Sequence, residues 1–146
     1  MTEAPAHKIE ARGVQMEYQA QDETGRSERV VVLEDFDLQV REGEFLSILG
    51  PSGCGKSTFL NILAGLTKKT GGVLDIDGNA LQGINRHQGV VFQGYALLPW
   101  RSVLDNIAVG LEIRGVAKSE RLEKAREYLD LVGLTGFASR FPHELS

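Results

Sequence analysis

The stretch Phe45-Leu-Ser-Ile-Leu-Gly-Pro-Ser-Gly-Cys-Gly-Lys-Ser-Thr58, continued by the patterned run Phe59–Leu66, decides the fold. Phe45, Leu46, Ile48 and Leu49 read as a buried strand, and Phe59, Ile62, Leu63 and Leu66 recur at helical spacing. Between them Gly50 to Ser57 fits a glycine, four free positions, then Gly-Lys-Ser, which is the order of a phosphate-binding loop set between strand and helix. Gly50, Gly53 and Gly55 allow positive φ and close approach of the main chain, so that successive N–H groups converge on an anion. A helix starting near Lys56 adds its unpaired amides and the positive end of its dipole. Lys56 is then placed for the β- and γ-phosphates and the Ser57 hydroxyl for Mg²⁺. The candidate nucleotide-binding residues of the loop are Gly50, Ser52, Gly53, Cys54, Gly55, Lys56, Ser57 and Thr58.

Composition narrows the class further. The 146 residues are 42% hydrophobic and 25% charged, the profile of an ordinary globular unit. A net charge of −4, with basic residues scattered rather than banded, argues against a nucleic-acid surface. No apolar run approaches the roughly 18–20 residues that span a bilayer, and the polar start Met1–Lys8 lacks the apolar region of a signal peptide. Cys54 is the one cysteine, so an intrachain disulfide is ruled out and a reducing, cytosolic setting is expected. No neighbouring base is in view to activate the thiol, which favours a small loop-filling role.

Along the chain, Ile9, Ala11, Val14, Met16 and Tyr18 alternate with polar neighbours as a half-buried strand, with Gly13 at a bulge. Gln19–Arg29 carries almost no apolar side chain and reads as an exposed hairpin loop. Val30–Leu33 and then Phe36, Leu38 and Val40 give a strand or a pair of strands ending at Glu42-Gly43. Val73, Leu74 and Ile76 form a short strand closed by Asp77-Gly78-Asn79. Gly89-Val90-Val91-Phe92 is a compact buried strand, with Gln93 at the C-terminal end where ligands gather in open α/β sheets. Its amide offers an acceptor to Mg²⁺ or water and a donor to phosphate. Tyr95, Leu97, Leu98, Pro99 and Trp100 make an apolar loop that is either core or a docking surface. Ser102 caps a helix bearing Val103, Leu104, Ile107, Ala108 and Leu111, closed by Gly115. A second helix, Ser119 toward Val132, has Leu122, Ala125, Leu129 and Val132 on one face and a solvated charged face with Glu120 four residues before Lys124. Phe137 and Phe141 anchor a last turn.

Two acidic sites imitate nucleotide-hydrolase elements. Glu34-Asp35 follows an apolar run, yet the acids stand in the wrong order and before the phosphate loop, so Asp35 reads as a turn residue. Asp75–Gly78 matches a short GTPase element, but no Asn-Lys-x-Asp accompanies it, and Asp75 and Asp77 read as hairpin residues.

The phosphate loop, Val91-Phe92-Gln93, Leu97-Leu98-Pro99-Trp100 and the closing Pro142-His143-Glu144-Leu145-Ser146, taken in order, resemble the ATP-binding subunit of an ABC transporter, most closely the importers of nitrate, sulfonate and taurine type. The resemblance implies an α/β P-loop fold: an antiparallel β subdomain, an incomplete parallel core sheet and a helical subdomain. The corresponding boundaries are about 8–50 and 67–80 for the β-rich part, 45–66 for the loop with its strand and helix, 89–93 for the strand before Gln93, and 101–146 for the helical part. It implies ATP and Mg²⁺ as cofactors, Tyr18 as the aromatic that stacks on adenine, and Gln93 as a second Mg²⁺ contact. Gln93–Trp100 becomes the region that meets a transmembrane permease. Leu145 and Ser146 become the start of the signature that touches ATP held by a second, identical subunit. The expected location is cytoplasmic, peripheral on the inner membrane face through the permease.

The family's remaining elements, namely the signature glycines, the Walker B aspartate, the water-activating glutamate and the switch histidine, have no counterpart in these residues. Positioning water and neutralising developing charge need such groups. The 146 residues alone are therefore expected to be hydrolytically incompetent, as part of an importer ATPase. The alternatives are a nucleotide-binding remnant without turnover and, further off, a small P-loop kinase or GTPase.

Overall fold

The computed structural model describes residues 7–21, 25–85, 88–94 and 96–145. It divides into two compact units, Met1–Val90 and Val91–Ser146.

The first unit is built on a four-stranded antiparallel sheet. Strands β1 (Ile9–Gln21) and β2 (Ser27–Val40) form a long hairpin, helix α1 (Lys56–Leu63) follows, and β3 (Gly71–Ile76) and β4 (Asn79–Ala80) complete the sheet in the order β2-β1-β3-β4. Pairing continues to Gln21 and Ser27. The expected loop Gln19–Arg29 is thus mostly strand, because cross-strand hydrogen bonds need no apolar side chain. Asp22, Glu23 and Thr24, at the hairpin tip, lie outside the described residues.

The β1–β2 register shifts between Ala11 and Val14, as expected of a bulge at Gly13, whose φ is 55°. Gly72 requires its lack of a side chain, since a Cβ there would lie 2.1 Å from the Gly13 carbonyl oxygen. The bulge is tied by acidic side chains from β2: the Gly13 amide donates to Asp37 Oδ1 at 2.6 Å, and Gln15 Nε2 donates to Asp35 Oδ1 at 3.0 Å. Asp35 is consequently a structural bulge residue. Asp75 accepts from Arg12 at 3.0 Å and Asp77 pairs with Lys8 at 2.8 Å, so both serve the β3–β4 hairpin.

Helix α1 lies on this sheet. Phe59 and Ile62 are buried with Ala11, Val14, Met16, Leu33 and Leu74 in one cluster, and the Phe59 ring meets Phe36 at a centroid distance of 4.6 Å. Burying each of these two helix side chains contributes roughly 1.5–3 kcal/mol, which fixes the helix and hence the loop at its start. Leu66, expected on the same face, lies beyond the helix end and is exposed.

Two expected strands are not strands here. Residues 45–49 and 89–92 form no ladder. Phe45 is 93% exposed, Leu49 90% and Val91 100%. The first segment still alternates: Ile48 is partly buried against the cluster while its neighbours on the opposite face are bare. A run apolar on both faces suits a parallel strand covered on both sides, and only one face is covered. Extended geometry is a local property, but a ladder needs a second segment beside it. Among the described residues none runs alongside.

The second unit is a helical hairpin. Helix α2 (Val103–Ile113) packs against α3 (Lys118–Leu131), followed by single 3₁₀ turns at Thr135–Phe137 and Pro142–Glu144. Val103, Ala108, Ala125 and Leu129 are buried. The second helix begins one residue before Ser119, and Val132, expected on its packed face, is exposed just past its end. Lys124 pairs with Glu127 at i+3 rather than with Glu120.

Candidate nucleotide site

Gly55 occupies the cap position of α1 with φ 91° and ψ 0°, a left-handed conformation, and no side chain caps the helix. The first satisfied amide is that of Phe59, which donates to the Gly55 carbonyl at 2.8 Å. The amides of Lys56, Ser57 and Thr58 precede any intrahelical acceptor. None of them finds one on a cap side chain or a neighbouring segment among the described residues. The first turn carries no acidic residue either. An anion supplies what this helix start lacks: acceptors for three amides and a negative charge at the dipole's positive end.

The loop above is held close to the sheet. A Cβ on Gly55 would come within 2.8 Å of Leu33 Cδ2 and 2.9 Å of the Val32 carbonyl oxygen. At Gly50 a Cβ would meet Cys54 Sγ at 2.8 Å, and Cys54 itself is exposed. Gly53 takes φ 82° in open space. Lys56 folds back over the loop, its Nζ donating to the Gly50 carbonyl at 2.9 Å, the Pro51 carbonyl at 2.6 Å and Cys54 Sγ at 3.4 Å. These are neutral acceptors. Bonds from an ammonium to phosphate oxygens, with charge on both sides, are roughly twice as strong. Ser52 and Ser57 are exposed and Thr58 half-buried, leaving the loop's mouth open.

Tyr18 belongs to the same unit. Met16 pairs with Leu33 and Tyr18 with Val30. Tyr18 stands two residues beyond the buried Met16 on β1, past a register shift in the β1–β2 pairing between Met16 and Glu17. The step along the strand is about 7 Å. Tyr18 is 44% exposed.

Gln93 belongs to the second unit, where it is exposed at a bend after Phe92. The apolar loop continues through Ala96 and Leu97 to Trp100, which is 71% exposed. Tyr95 and Ser146 lie outside the described residues. Sequence reasoning missed Asn106, which holds this loop. Its signal was a lone amide set among Val103, Ile107 and Ala108 on the packing stripe of α2.

A glycine-capped helix start beneath a lysine-bearing loop, on a sheet with an appended helical hairpin, defines a P-loop nucleotide-binding class. Residues 33–146 match the model of the ABC transporter family, and the chain belongs to that family. It is 51% identical over 121 residues to the taurine import ATP-binding protein TauB of Pseudomonas aeruginosa strain PAO1, covering 83% of this chain and 46% of that one. It is 48% identical over 118 residues to an uncharacterized ABC transporter ATP-binding protein of Methanocaldococcus jannaschii, covering 81% and 44%. The chain thus spans less than half the length of these curated relatives. Among solved structures it superposes on the ATP-binding cassette MJ0796, captured as a dimer in a post-hydrolysis state bound to ADP and Pi. The TM-score is 0.81 at 32% identity, covering 94% of this chain and 63% of that one. The expected fold class, the amino-terminal part of an ABC ATPase, is the observed one.

Proposed function

We propose that this chain is the ATP-binding portion of an ABC importer ATPase which, in its complete form, couples ATP hydrolysis to uptake of a small anion such as nitrate, a sulfonate or taurine. The observation that carries the reading is the uncapped start of α1, with three unclaimed amides beneath a glycine loop and the Lys56 ammonium above it. Gly50, Ser52, Gly53, Cys54, Gly55, Lys56, Ser57 and Thr58 cradle the phosphates, and Tyr18 stacks on the adenine. The Ser57 hydroxyl holds Mg²⁺, whose charge offsets that developing on the phosphates; Gln93 is assigned a Mg²⁺ contact in the complete protein on the family resemblance alone. The proposed solute class rests on the likeness to taurine import proteins.

Among the described residues no helix is long and apolar enough to cross a membrane. On the family resemblance, membrane attachment is assigned to a permease that docks on Gln93–Trp100, on the cytoplasmic side. A second copy of the complete chain supplies the other half of each ATP site, facing Ser146; the superposed cassette was itself captured as a dimer. The 146 residues bind ATP, and turnover belongs to the complete protein.

Titration of the chain with a fluorescent ATP analogue and Mg²⁺ tests the phosphate site. Lys56→Ala is expected to weaken binding at least tenfold without lowering the melting temperature. Equal affinity in the variant would overturn the reading. Sustained Mg²⁺-dependent phosphate release from the 146 residues, absent in Lys56→Ala, would show that turnover needs nothing more.

A further inference from the structure

We infer that Asn106 is the positioning residue that fixes the loop Ala96–Trp100 in the shape it presents to the permease; the inference rests on the docking role assigned above to that loop. The Asn106 side chain, half-buried on α2, uses both of its ends. Its Oδ1 accepts from the Leu98 amide at 2.8 Å, while Nδ2 lies 3.1 Å from the Leu98 carbonyl, 3.1 Å from that of Arg101 and 3.0 Å from that of Ser102. The donor–acceptor pair on Leu98 mimics a strand partner, and the two further carbonyls bring the chain back to the helix start. One side chain therefore ties the middle of the loop, at Leu98, to the turn at Arg101 and Ser102 that follows it.

A second clamp backs it. Arg101 Nη1 donates to Glu112 Oε2 at 2.6 Å. Trp100 stands between the two clamps and projects into solvent. Ala96 is held at φ 45°, a left-handed conformation unfavourable for a residue with a Cβ. Such a conformation persists where surrounding contacts over-determine it, and it is a mark of functional segments. An amide that spends all its hydrogen bonds on one loop, beside a bare tryptophan, preorganises an apolar surface for a partner and so lowers the ordering cost of docking.

Trp100 is the only tryptophan among these 146 residues, so with any tryptophan elsewhere in the complete ATPase replaced by phenylalanine its fluorescence reports this loop alone. Asn106→Asp keeps the shape and the acceptor for Leu98 but removes the donors. In the complete ATPase this variant is expected to lower Trp100 anisotropy and raise acrylamide quenching at unchanged helical circular dichroism. With the permease in proteoliposomes it should reduce permease-stimulated ATP hydrolysis at least fivefold, with basal hydrolysis and ATP affinity unaltered. Asn106→Ala, measured alongside, guards against a purely carboxylate effect and should fall in the same direction. If Trp100→Ala abolishes stimulation while both Asn106 variants match the parent in fluorescence and stimulation, the positioning role is overturned and the docking role stands. If Trp100→Ala leaves stimulation intact, the docking reading itself fails.

Discussion

Helices α1 and α2 begin in opposite ways. At the start of α2 every first-turn amide is claimed from within the protein: Val103 donates to the Arg140 carbonyl at 2.8 Å, Leu104 to the Ala138 carbonyl at 3.0 Å and Asp105 to Ser102 Oγ at 3.1 Å. Asp105 adds a negative charge in the first turn. At the start of α1 a glycine stands in the cap position, no acid follows, and a cation leans over the opening. Helix α3 also lacks a capping side chain, yet it carries Glu120 in its first turn and no glycine loop encloses it. Openness alone therefore does not make a phosphate site. What separates α1 is an open start combined with an enclosing loop and a lysine.

The largest effect is expected from Gly55→Ala. It forces a Cβ against Leu33 and Val32 at a left-handed φ, costing about 2–4 kcal/mol from strain and overpacking together. Thermal melting should show the loss, and ATP binding should vanish with it. Gly53→Ala, left-handed but in open space, should cost only about 1–2 kcal/mol, so equal losses at the two positions would break the argument from close approach.

Making α1 resemble α2 is the sharper experiment. Thr58→Glu puts an acid at the third helical position, where it favours the helix by about 0.3–1 kcal/mol through the dipole. It also occupies the anion's place. The melting temperature should hold or rise while affinity for the ATP analogue falls by more than tenfold. Unchanged affinity would show that the helix start does not hold the phosphates.

The converse change, Ser102→Ala, removes the cap of α2 and should cost about 1 kcal/mol. Because that start serves structure only, ATP binding should stay as it is. A loss of binding would erase the distinction between the two helices.

The smallest effect separates the units by pH. The Glu112 carboxyl is held below the ordinary carboxylate range, chiefly by its bond from Arg101. The Glu144 carboxyl is lowered by the Phe141 amide, which donates to it at 2.7 Å. A lowered carboxylate stabilises the fold fully above its ordinary value, and that contribution is lost as pH falls through the lowered one. Lys8 is raised by Asp77 and then Glu42, so its contribution is present below the ordinary lysine value and lost as pH climbs through the raised one. Acid should loosen the helical unit first, seen as a change in Trp100 fluorescence, and strong alkali the sheet unit. Glu112→Gln should flatten the acid limb.

Most of the candidate site's local geometry was legible in the sequence because it is set within a few residues. The spacing from Gly50 to Ser57, the position of α1 and the cap at Ser102 all depend on residues a few positions apart. The fold was less legible where it depends on distant partners. Residues 45–49 and 89–92 were read as buried strands, and they form no ladder and stand largely exposed. The hairpin was drawn too short, because its outer rungs are held by backbone bonds that leave no mark in side-chain pattern. Asn106 looked like a polar interruption of an apolar stripe until the loop folded back over it.

The sequence by itself determined the chemistry offered: a glycine loop, a lysine, a hydroxyl and a helix start, set by bonds that close within a few residues. The tertiary structure alone decided how β1 and β2 pair beside Gly55, and that Asp35 and Asp37 tie the bulge at Gly13. It also decided that Asn106 closes the Trp100 loop. Those outcomes depend on which strands lie side by side and which segments return to a helix, and such pairings are settled by the packing of the whole unit, beyond the reach of any local pattern.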